Sequence, residues 1–176
     1  MTAVPAILPL LVSAFILVVC ALAALRDVVS RIIPNGYCGL IALGGLLLRL
    51  MDGTAIRGVA VAGFLFLLLS VCWRLRLLGG GDVKLLSACA LAVPPGQLGA
   101  VLFVTAISGA ILGLIYLAAR RRIPPPAPQG LQPRPAWRLI RALRLEQWRL
   151  HRGGPLPYAV AIASGFGATL LPALVR

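Results

Sequence analysis

Apolar residues run along this chain in six blocks separated by short polar breaks. The blocks cover about 5–25, 33–50, 56–73, 82–93, 98–118 and 156–174. A helix of about 20 apolar residues crosses a bilayer core of roughly 30 Å, so the pattern predicts an all-α, polytopic membrane helix bundle of about six transmembrane helices. The fourth block is too short to cross on its own. The first has neither a basic flank before it nor a small-residue cleavage site after it, and reads as a retained helix rather than a removed signal. One further segment, 136–151 ("AWRLIRALRLEQWRLH"), places Leu139, Ile140, Leu143 and Leu150 on one helical face with Trp137 and Trp148 at its margin. That pattern predicts a helix lying in the cytoplasmic interface, its arginines on anionic lipid headgroups. It follows a proline-rich stretch, "ARRRIPPPAPQGLQPRP", which reads as extended and semi-rigid. The expected organisation is a single membrane-embedded domain over 1–176, with a basic cytoplasmic loop at 119–154.

Composition agrees with the pattern: 60% of residues are hydrophobic, 12% are charged, and mean hydropathy is +0.99. A net charge of +13 would suggest nucleic acid, but its distribution argues otherwise. With the connections placed alternately on two sides, fourteen basic residues fall on one side, and only Arg49, Arg57 and Arg176 fall on the other. The positive-inside rule puts the basic side in the cytoplasm and both termini outside. Membrane topology therefore accounts for the charge, and no nucleic-acid partner is expected.

Cys20, Cys38, Cys72 and Cys89 form no C-x-x-C pair and lie in or beside apolar blocks, as small buried apolar residues do. No metal site is expected. The one histidine, His151, falls in the basic loop and reads as solvated or headgroup-level.

Four acids remain. Asp52, in "MDGT", reads as a turn residue, and Glu146 can pair with an arginine of its loop. Asp27 and Asp82 both fall on the cytoplasmic side. Pro94 comes twelve positions after Asp82, and "PP" stops a helix there; that is about 18 Å of helix. Anchored at the outer edge of the bilayer, this helix leaves Asp82 on the order of 10 Å inside the cytoplasmic edge. Beside it stand Gly79, Gly80 and Gly81, which predict non-helical backbone at membrane depth, with freedom for positive φ and close approach of another chain. An intramembrane acid is a functional candidate; the alternative is an Asp that simply opens a helix. Asp27 could equally pair with Arg31, four residues on. As a pair, two carboxylates can activate water: one takes its proton and the other protonates the leaving group. Two such charges about 4 Å apart repel by about 4 kcal/mol at an effective dielectric of about 20, so the pair is expected to share one proton.

These residues resemble the type IV prepilin peptidase family of intramembrane aspartyl peptidases. G-x-G-D is present at Gly79–Gly80–Gly81–Asp82, followed by Lys84; Asp27 precedes Ile33–Pro34–Asn35; "PYAVAIASG" opens the last block with Pro157 and Tyr158. The resemblance implies a catalytic pair, Asp27 and Asp82, with Gly79, Gly80, Gly81, Lys84, Pro34, Asn35, Pro157 and Tyr158 as substrate-access and motif residues. It implies hydrolysis of a prepilin leader just after a glycine, at the cytoplasmic face of a bacterial inner membrane, without a cofactor. Expected partners are the prepilin's leader and apolar helix, membrane lipids, and components of a pilus-assembly apparatus. Larger members carry a C-x-x-C insertion and also N-methylate the new terminus. Here only seven residues separate Asp27 from Asn35, which argues against methyltransferase activity. The compact form resembles the peptidases of tight-adherence (Flp) pilus systems. "PAL" at 172–174 lies at the far end of the last block, and its likeness to presenilin-type enzymes is taken as chance. Two other classes fit the acids: a small proton-coupled transporter or channel relaying protons through Asp27 and Asp82, and a non-catalytic subunit of a secretion apparatus.

Overall fold

The computed structural model describes residues 7–123, Trp148 and 156–175. It contains α1 (Ile7–Ser30), α2 (Asn35–Met51), α3 (Ala55–Arg74), α4 (Gly80–Ala92), α5 (Leu98–Arg122) and α6 (Tyr158–Val175), with one 3-10 turn at Pro95–Gln97 and no strand among the described residues. Helices α1, α3 and α5 are long and apolar enough to cross a membrane; α2 and α6 are apolar but shorter. At 13 residues, α4 is about 20 Å long, short of a bilayer core. The expected membrane helix bundle is what forms. Of the interfacial helix expected at 136–151, all but Trp148 lies outside the described residues, as does His151.

Local chemistry sets the breaks. α1 runs through Arg26 and Asp27 to Ser30, five residues past the apolar block. Backbone hydrogen bonding does not stop where hydropathy does, and Ser30 Oγ caps the last turn by donating to the Arg26 carbonyl at 2.8 Å. Arg31 then takes a left-handed backbone, φ 56°. Pro34 is extended and starts α2, since the residue before a proline disfavours helix. Between α2 and α3 the chain reverses through Gly53, whose φ of 72° suits glycine. Asp52 is the expected turn residue: its Oδ1 accepts from the Thr54 N–H at 3.0 Å, and it pairs with Arg49. That arginine is only 5% exposed, its stem lying where a Cβ on Gly58 would be. α4 ends at Val93, and Pro94–Pro95 leads into the 3-10 turn.

The chain divides into two compact units, residues 1–109 with 157–176, and residues 110–156. In the second, α5 runs on to Arg122, and the Ile123 N–H closes on the Ala119 carbonyl at 2.9 Å. The first holds the core, including Ile16, Ile41, Leu85, Val93, Ile162 and Phe166, all fully buried. Helix α4 is its centre, with Val83 and every residue from Leu85 to Ala90 buried, against α2, α3 and α6. Leucine, isoleucine and phenylalanine side chains cover the outer faces of α1 and α3, Phe64 and Leu67 among them. Such surface suits lipid, not water.

Glycines set how near α2 comes. A Cβ on Gly45 would lie 2.7 Å from the Ala92 nitrogen, and one on Gly44 would lie 2.9 Å from Ile16 Cγ1. α2 therefore presses its backbone on the end of α4 and on α1. Inside this packing Cys20 of α1 meets Cys89 of α4, Sγ to Sγ 3.9 Å, both buried. Treating membranes with a permeant two-electron thiol oxidant should form one intramolecular Cys20–Cys89 bond, with both thiol protons released and both electrons passed to the oxidant. Alkylation and peptide mass mapping would detect it. Cys20→Ala should abolish the bond and Cys72→Ala should not; free Cys20 and Cys89 after complete oxidation of an exposed control thiol would contradict this helix register.

Candidate active site

The Cys20–Cys89 contact fixes the level of two other residues. Asp27 is seven residues after Cys20 on α1, and Asp82 is seven residues before Cys89 on α4. Seven residues are about two turns, which return a side chain to nearly the same face. The helices run in opposite directions, so the two acids are carried to one level at one end of the bundle. In keeping with this, the Asp82 carboxylate lies within electrostatic reach of both Asp27 and Arg31.

Asp27 is 6% exposed. The Ala159 N–H, in the first turn of α6, donates to its Oδ2 at 3.3 Å. The first N–H groups of a helix have no partner within it, and the same end carries the positive pole of the helix dipole. Pro157, fully buried, immediately precedes α6, and its carbonyl accepts from the Val160 N–H at 3.1 Å. The third motif thus acts through backbone: Pro157 and Tyr158 deliver a helix start to a buried carboxylate. The sequence marked those two residues without revealing the Ala159 amide.

Asp82 occupies the third helical position of α4, behind Gly79 at the N-cap. It is not the residue that opens the helix. Its carboxylate accepts the Gly79 backbone N–H, as the third residue of a capping box does. The three glycines depart from expectation. Gly79 is extended, with φ −73° and ψ 141°, while Gly80 and Gly81 are helical; none has positive φ. No unusual backbone is needed there, because Gly79 in the ordinary N-cap conformation already starts the helix. What glycine supplies is room. A Cβ on Gly79 would lie 2.8 Å from Asp82 Oδ2, one on Gly80 3.2 Å from Trp73 Nε1, and one on Gly81 3.2 Å from Ile33 Cδ1. The close approach is made by other parts of this chain.

The first motif closes over the second. Ile33 packs on Gly81, and Lys84 Nζ donates to Asn35 Oδ1 at 3.0 Å. Pro34 lies between these two contacts, so the Ile33–Asn35 segment clasps α4 on either side of Asp82. Two sequence signals 49 residues apart thereby become one structure. Beside Lys84 lies an apolar groove of about 420 Å³ between α2, α3 and α4, lined by Ala42, Ala62, Phe66 and Ser87 among others. Neither acid lines it. Among the described residues no group of three or more His, Cys, Asp or Glu is arranged to hold a metal ion.

Two carboxylates at one level, both partly withdrawn from solvent and each held by a backbone N–H, can polarise a water and pass its proton. A model of the type IV leader peptidase family matches residues 14–114. No curated protein and no solved structure matches the chain. The matched stretch is more than half of the chain and contains both acids, the Ile33–Asn35 segment and the glycine start of α4. This chain belongs to the type IV leader peptidase family.

Proposed function

We propose that this protein is an intramembrane aspartyl endopeptidase that removes the leader of Flp-like type IV prepilins at the cytoplasmic face of a bacterial inner membrane. The observation that carries the reading is the convergence of Asp27 and Asp82 through the antiparallel register of α1 and α4. One carboxylate takes a proton from a water. The resulting oxygen attacks the carbonyl carbon of a glycine at the end of the leader. The other acid, which carries the one proton the pair shares, gives that proton to the amide nitrogen as the C–N bond breaks. The helix start at Ala159 steadies charge on Asp27, and the Ile33–Asn35 clasp keeps Asp82 in place. Lys84 and Asn35 are positioning residues in this scheme. The substrate's apolar helix lies in the membrane beside the bundle, lipids fill the remaining surface, and components of the pilus-assembly apparatus receive the product. Both termini face away from the cytoplasm in this reading, which the arginine distribution supports.

Asp27→Asn and Asp82→Asn should each abolish leader removal in cells that co-express a prepilin, while leaving the amount of protein in the membrane unchanged. The loss should be on the order of 10³-fold or more, since each variant removes one half of a proton-transfer pair. Glu146→Gln serves as control and should cleave like the parent. Substantial cleavage by either of the first two variants would end the assignment, and a proton-relay role would then take its place.

The same reading leaves the new N-terminus unmodified, because the short Asp27–Asn35 connection has no room for the C-x-x-C insertion of the methylating members. Mass spectrometry of mature pilin, made in a host without another such enzyme, should give the unmethylated mass. An added methyl group would contradict it.

A further inference from the structure

Gly109 lies outside the motifs, on the buried face of α5 with Val101 and Thr105. A Cβ built on it would lie 2.8 Å from Tyr158 Cε2 and 3.1 Å from both Cζ and Oη. The outer half of the tyrosine ring occupies space that any other residue at 109 would fill. One turn earlier on α5, the backbones of α5 and α6 are in near contact: a Cβ on Gly165 would lie 2.8 Å from the Thr105 nitrogen and 3.0 Å from its Cα. The order of the two contacts, 109 with 158 and 105 with 165, makes α5 and α6 antiparallel. The Gly165–Thr105 contact brings them close, and at that separation the Tyr158 ring occupies the gap Gly109 leaves.

Tyr158 is the first residue of α6, and the next amide is the one on Asp27. At 3.3 Å that hydrogen bond is already near the long limit, so a small displacement of the helix start removes it. We infer that Gly109 is a positioning residue for the catalytic pair: it seats the Tyr158 ring, and the seated ring holds the Ala159 N–H on Asp27. Its effect on rate rests on the proposed role of Asp27; its effect on the Ala159 amide does not.

The test compares Gly109→Ala, Tyr158→Leu and the double variant in full-length protein, with Gly99→Ala as control. Gly99 is on the same helix, and a Cβ there meets nothing within 4 Å. Two readouts are taken: hydrogen exchange over 158–160, and kcat and KM for leader removal. Gly109→Ala should speed exchange at the start of α6 about tenfold, leaving later turns protected. It should lower kcat on the order of tenfold with KM unchanged. In the Tyr158→Leu background, which removes the ring, the same substitution should add nothing. Gly99→Ala should match the parent. Parent-like exchange in Gly109→Ala would overturn the inference, as would an equal loss in both backgrounds. If Gly109→Ala fails to accumulate, Tyr158→Leu alone decides: faster exchange at Ala159 supports the seat, and unchanged exchange overturns it. Faster exchange with unchanged kcat would uphold the seat and overturn its part in catalysis, while Asp27→Asn decides the role of Asp27 itself.

Discussion

With α2 and α6 packed on both, the register of α1 against α4 is the constraint on which the rest depends. These helices meet through small side chains, Cys20 against Cys89, 69 residues apart in the chain. Two turns from that contact, in each direction the chain requires, lie Asp27 and Asp82. A larger pair at 20 and 89 would spread the helices, and a shift of one residue would turn one acid by about 100°. Glycines in α2 tighten the same packing, because Gly45 lets α2 rest on the backbone of α4. The core thus sets the spacing of two acidic groups that resist being charged together, and such a spacing needs rigid support.

Around the pair, backbone N–H groups give support. Asp27 takes the Ala159 N–H and Asp82 takes the Gly79 N–H. Each acceptor lies in the first turn of a helix or receives from one, where unpaired N–H groups are available. Side chains then fix those helix starts: Ile33 and Asn35 on α4, Tyr158 and Pro157 on α6. This division explains why the motifs are rich in glycine, proline and small residues. Their work is to bring main chain close to a carboxylate, and bulk would prevent it.

Much of this was legible in the sequence. The six blocks became six helices with ends displaced by a few residues, since hydropathy marks membrane-length segments well. The short fourth block and the Pro94–Pro95 stop located α4 correctly. The positions singled out around Asp27 and Asp82 converge, because three ordered motifs carry more information than any one of them. What failed was conformation. Three adjacent glycines suggested positive φ and a broken helix, yet Gly80 and Gly81 are helical and serve by leaving room for Trp73 and Ile33. Glycine permits both uses, and only the neighbours decide between them. Arg49 read as a loop cation and is buried, because Asp52 and Thr54 turn back to meet it. The Cys20–Cys89 contact, the Ala159 amide and the Gly109 seat are long-range pairings, and a single sequence carries no local signal for them.

The most direct measurement is whether positions 27 and 82 lie side by side. Asp27→Cys and Asp82→Cys are introduced together in a background with the four native cysteines replaced by alanine. Membranes are then treated with a short bifunctional thiol reagent, and intramolecular linkage is read by mass mapping. The predicted result is ready linkage between positions 27 and 82, and none when Lys84→Cys, about 200° round α4 from position 82, replaces Asp82→Cys as the second site. Failure to link 27 with 82, under conditions that join Cys20 to Cys89 in the parent protein, would contradict the paired site.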